Sequence, residues 1–184
     1  MSLDAHAQLP FGFDSGATFS PCRQYRYRLW RSWGNRDHRC VFVGVNPSTA
    51  DETADDPTIR KCIGFAKRWE FGALDMVNLF AWRDTDQRGL LTAPDPVGLE
   101  NDCRILQAFD GASRIVLAWG NGKTSAVRTL MTRRIQSEAQ TLYGYGRAER
   151  GWFGETGDGF ALHPLMLSYE TPFVPLGAGQ GAST

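Results

Sequence analysis

Neither sign of charge predominates in this chain of 184 residues, in which Lys and Arg total 20 and Asp and Glu total 20. That balance offers no general attraction to a polyanion, so any contact with nucleic acid must be local. The four cysteines, Cys22, Cys40, Cys62 and Cys103, lack the CxxC pairs of a zinc site and the density of a disulfide scaffold, which leaves reduced, mostly buried thiols as the expectation. No apolar run approaches the ~20 residues of a membrane span, and the amino terminus has no charged-then-apolar leader. A cytoplasmic monomer without a membrane partner is therefore expected. Internal repeats are also missing. What is present is ordinary globular material: 42% hydrophobic and 22% charged residues, enough at this length for one domain with a full core.

The chain divides into a Gly-, Ser- and Pro-containing surface segment, 1–22, a single domain, 23–176, and a loose tail, 177–184. Alternation from Tyr25 to Trp33 sets Tyr25, Tyr27 and Leu29 against Arg26, Arg28 and Trp30, and Gly34-Asn35 separates this run from the apolar Cys40 to Val45. The pair reads as a hairpin with an exposed first strand. Asp56-Pro57 is a helix start, followed at helical spacing by Ile59, Cys62, Ile63, Ala66 and Trp69. Ala73 to Asn78 reads as a buried strand. Asp95-Pro96 repeats the start signal before Leu99, Cys103, Ile105, Leu106 and Phe109. Arg114 to Trp119 is a further strand, Thr124 to Ser137 a helix, and Leu142-Tyr143 a short last strand before a long Gly- and aromatic-rich loop, 144–159. Strands alternating with helices predict a three-layer α/β/α fold with a central, mainly parallel sheet.

Three segments place polar residues where apolar runs end. Asn46-Pro47 ends the first of these strands and is followed by Ser48, Thr49 and Asp51; Asn78 ends the second; His163-Pro164 lies in a late loop. In open α/β sheets ligands bind at the carboxyl ends of the strands, so these groups read as one composite pocket of nucleobase size. An amide such as Asn78 both donates and accepts toward a base edge, and a loop histidine fixed by proline can donate to a developing anion. Each residue also has a purely structural reading: Asn46 and Ser48 as turn and cap groups, Asn78 as a brace between loops, His163 as a turn residue. Asp51, Glu52, Asp55 and Asp56 would hold a cation only if they converged, and Asp56 is already committed as a cap. No metal and no cofactor are assigned.

Four motifs together resemble the uracil-DNA glycosylase superfamily, collinearly from about Val41 to Ser168: Gly44-Val45-Asn46-Pro47, the strand ending at Asn78, Ile115 to Trp119 followed by Gly120-Asn121, and His163-Pro164. More closely, the run from Asn46 to Asp51, Asp56-Pro57-Thr58, Asn78 to Ala81 with Arg83, and His163-Pro164-Leu165 resemble the domain of unknown function 1643 family. The first resemblance implies a uracil-DNA glycosylase-like fold and hydrolysis of an N-glycosidic bond. Asn46 would position water, Asn78 would read the base and His163 would hydrogen-bond the departing base. Asn46 stands where the most active branch carries aspartate, which implies a slower reaction. Phe80 would stack on the base and Leu167 would wedge a duplex, while Arg83, Arg88, Lys123, Arg147 and Arg150 would form a basic rim. Gly44, Pro47, Ser48, Thr49, Asp51, Trp119, Gly120, Asn121 and Pro164 complete the expected site. The ligand implied is DNA, a nucleoside or a nucleobase. The alternative is a non-catalytic module that binds a nucleotide, a modified base or single-stranded nucleic acid in the same pocket.

Overall fold

The computed structural model describes residues 14–177, and expectations for residues 1–13 and 178–184 lie outside the described residues. Seven strands form one sheet: β1 (Asp14–Phe19), β2 (Arg26–Ser32), β3 (Arg39–Gly44), β4 (Ala73–Asn78), β5 (Arg114–Leu117), β6 (Glu149–Trp152) and β7 (Val174–Pro175), in the order β1-β2-β4-β3-β5-β6-β7. The helices are α1 (Pro57–Arg68), α2 (Asn101–Phe109), α3 (Ser125–Ser137) and α4 (Ala139–Gly144). Parallel pairing is confined to the central β4-β3-β5-β6, and antiparallel strands flank it on both sides. The sheet is thus mixed, less parallel than alternation alone predicts.

The central strands are buried on both faces, as parallel strands covered by crossover helices must be. In β3, Cys40 and Phe42 pack with Ile59, Cys62, Phe65 and Ala66 of α1, whereas Val41 and Val43 pack with Ile105 and Phe109 of α2 and Val127 and Met131 of α3. α1 therefore covers one face, and α2 and α3 cover the other. Its start is fixed as the sequence predicts: the Asp56 side chain accepts from the Ile59 N–H at 2.8 Å, with Pro57 in the first turn. Thr124 caps α3 in the same way, accepting from Val127 N–H at 3.2 Å.

Five local expectations are corrected. β2 and β3 do not form a hairpin, because β4 lies between them, antiparallel to β2 and parallel to β3. Nor is β2 exposed; Tyr27 and Leu29 are core residues and Arg26, Arg31 and Ser32 are buried. α2 begins later than Asp95-Pro96 suggests: the Asp95 carboxylate accepts from Val97 N–H in a tight turn, Gly98 takes φ of +85°, and Leu99 is left exposed. Leu142-Tyr143 belongs to α4, and the last parallel strand is β6, inside the stretch read as a loop. Within the early segment read as loose surface, β1 is an edge strand paired to β2.

Candidate functional site

β3, β4 and β5 end side by side, and the chain leaves β3 toward α1 on one face and β5 toward α3 on the other. That divergence opens a crevice at the carboxyl ends, the position where α/β sheets bind ligands. A cleft of about 70 Å³ lies there. Gly44, Val45, Asn46 and Ser48 line it from the end of β3, Met76 and Asn78 from β4, and Trp119 from beyond β5. Asp56, Thr58 and Ile59 come from the start of α1, Gln87 and His163 from loops, and Arg26 from β2.

Asn78 is 1% exposed, and neither its Nδ2 nor its Oδ1 has a hydrogen-bond partner among the described residues. An unpaired buried amide costs about 1–3 kcal/mol, so a carboxamide held this way is poised for a ligand that supplies both an acceptor and a donor. Gly44 makes room for it: a Cβ there would come within 2.8 Å of Asn78 Oδ1 and 2.7 Å of Met76 Cε. The Trp119 indole N–H, also buried, is likewise unpaired.

His163 is half-buried, and its Nδ1 accepts from the Leu165 N–H at 3.2 Å. That bond places the ring proton on Nε2, which makes the histidine a donor through its other nitrogen. Burial lowers its pKa below the ordinary 6.5, against an opposing pull from Asp56, so the ring is neutral at pH 7. Gly120 admits it closely, because a Cβ there would lie 2.7 Å from His163 Cβ and the backbone φ is +71°.

Asn46 lines the cleft, but its Nδ2 is committed to the carbonyls of Asp84, at 2.7 Å, and Pro47, at 3.3 Å. Its amide therefore braces the loop, leaving Oδ1 as the acceptor it can offer. Other expected site residues lie elsewhere. Pro47 and Pro164 are buried, Thr49 is exposed, and Asp51 closes a turn onto the N–H groups of Thr53 and Ala54. Phe80 is a core side chain and Leu167 packs against the α1-side core, so stacking and wedging are not what their positions provide. Arg83 donates to the Arg23 carbonyl, and Asn121 donates to Asp158. Arg88 pairs with Asp86, which Lys123 also approaches at 4.0 Å, and Arg150 donates to the carbonyls of Leu142 and Ala148. Arg83, Arg88, Lys123 and Arg150 thus each have a partner within the chain. Among the described residues no group of three or more His, Cys, Asp or Glu side chains is placed to hold a metal ion. The acidic cluster is dispersed: Asp55 pairs with Arg31 and Glu52 with Arg23.

Among the residues that sequence reasoning missed is Arg26. Regular alternation sets Arg26 opposite Leu29. In the β1–β2 ladder, however, Thr18 faces Arg28 and Phe19 faces Arg26, so Tyr27 is an extra residue in β2. Such a bulge re-aims the side chains beyond it. Arg26 turns to the α1 side with Leu29 and donates to the Ala50 carbonyl at 2.8 Å. Burial lowers its pKa to about 10, partly countered by Asp56, so it stays charged at neutral pH. Asp56, Thr58, Met76 and Gln87 were likewise not assigned to the pocket; only the fold brings them there.

No curated protein and no solved structure matches the chain. A profile for a family described as a protein of unknown function (DUF1643) matches residues 26–165, which contain every residue lining the cleft. With well over half of its length inside that match, the chain belongs to the DUF1643 family.

Proposed function

We infer that the cleft binds a nucleobase and that the protein is an N-glycosidic hydrolase, the activity implied by the uracil-DNA glycosylase resemblance. One observation carries this reading: Asn78 is buried in the cleft with its donor and its acceptor both unpaired. A heterocycle edge with adjacent carbonyl and N–H groups satisfies both at once. In the reaction the bond from C1′ to the base nitrogen breaks and its electron pair leaves with the base. The His163 Nε2–H donates to the anionic base, and water adds to C1′. Asp56, the carboxylate in the lining, is able to take the water's proton, which the Asn46 amide cannot do.

Incubation with nucleosides, nucleotides and oligonucleotides carrying uracil, hypoxanthine or other altered bases, followed by chromatography for free base and scoring of abasic sites, tests this. Free base is expected, with His163→Ala slowing its release by roughly 10²–10³-fold, the usual cost of one preorganised donor. Retained binding with no base released would contradict hydrolysis. It would favour the second reading, a non-catalytic binding module, to which the commitment of the Asn46 amide to its own loop already gives support.

A further inference from the structure

Arg26 is the part of the cleft that a base alone leaves unexplained. Its side chain is 2% exposed, and its Nε–H is buried without an acceptor. The other buried arginines meet carboxylates: Arg31 pairs with Asp55, and Arg134 with Asp102 and Glu138. Among the described residues Arg26 has no such contact; Asp56 lies close enough to favour its charge but forms no ion pair with it. Burying a guanidinium with no carboxylate against it and its Nε–H unsatisfied is costly, and a bulge in β2 aims it into the cleft. A charge maintained there at that cost marks an anion site.

The geometry points to Arg26 as an anion-recognition residue and to a mononucleotide as the ligand, its base at Asn78 and its phosphate at Arg26. This rests on the nucleobase reading of the same cleft. Arg26 enters from β2, the next strand outward from the β4 that carries Asn78, so it is placed for a group appended to the base. Guanidinium is also the side chain best matched to phosphate. A nucleic-acid strand would need several uncommitted basic groups around the mouth. Arg23 and Arg88 are instead paired with Glu52 and Asp86, and Arg83, which acts on Arg26 electrostatically, donates to the Arg23 carbonyl.

Calorimetry on the intact protein tests this with a nucleoside, its 5′-monophosphate, the corresponding dinucleoside monophosphate and inorganic phosphate. The monophosphate is expected to bind at least tenfold more tightly than the nucleoside, with inorganic phosphate competing. Arg26→Gln should remove that tenfold and Arg26→Lys should keep part of it. The affinity ratio in the unmutated protein stands even if a variant fails to fold. Equal affinity for nucleoside and monophosphate would overturn the role of Arg26 and leave the base reading intact. Tighter binding of the dinucleoside monophosphate would overturn the mononucleotide in favour of a strand. Phosphate binding to which a base adds nothing, or no binding by any compound, would overturn the proposal together with the base reading.

Discussion

An unpaired buried amide lowers stability and serves binding, so removing it should separate the two. Asn78→Leu keeps the branching at Cγ and the number of side-chain heavy atoms and removes the polar group whose isolation costs about 1–3 kcal/mol. The variant is expected to melt at the same temperature as the parent or higher, and to lose ligand affinity. A drop in melting temperature would show that Asn78 is a structural brace. Gly44→Ala should reach the same functional result indirectly, since its Cβ would press on Asn78 Oδ1 at 2.8 Å and turn the amide out of the cleft. His163 provides a pH signature. Its imidazole titrates below the ordinary 6.5 when folded. The unfolded chain therefore binds a proton that the folded one refuses, and stability falls as pH drops through about 6.5. Chemical denaturation across that range should show this slope, and His163→Gln should flatten it.

Two contacts at the level of elements hold the site in register. Asp75 in β4 is 1% exposed and takes Arg28 of β2 at 2.6 Å and Arg39 of β3 at 3.2 Å. One carboxylate thus ties together three adjacent strands, all of which line the cleft. Breaking a buried pair strands its partner charges, so Asp75→Ala should cost about 3–5 kcal/mol in chemical denaturation. The segment after His163 is pinned by Tyr169, which packs edge-on to Phe65 and lies beneath Lys61 and Arg68 of α1. Gly64 leaves space for that ring, since a Cβ would fall 2.4 Å from Tyr169 Oη. Gly→Ala in a helix ordinarily gains up to about 1 kcal/mol. Gly64→Ala should instead lower the melting temperature, and an increase would show that the tyrosine contact does not matter.

On the scale of the whole molecule, the two thiols the structure buries, Cys40 and Cys62, have pKa values pushed up by desolvation, whereas Cys22 and Cys103 are exposed. A thiol reagent should titrate two groups in the folded protein and four after unfolding. Much of this architecture was legible in the sequence because local signals were unambiguous. Asp56-Pro57 named the start of α1, and the continuous apolar runs around Phe42 and Val77 named strands buried on both faces. Asn46, Asn78, Trp119 and His163 were legible as pocket residues because they follow such strands or sit beside a proline. Arg26 was not, because a single inserted residue in β2 reversed its direction, and that insertion shows only in the pairing of β2 with β1. The position of β4 between β2 and β3 was hidden for a similar reason, since pairing between distant segments leaves no local mark. The most direct test of the central claim is calorimetric titration of a nucleoside and nucleotide series into the parent protein and into folded Asn78→Leu. Binding by the parent and its loss in the variant is the predicted result; equal binding by both, or none by the parent, would contradict a nucleobase pocket built on Asn78.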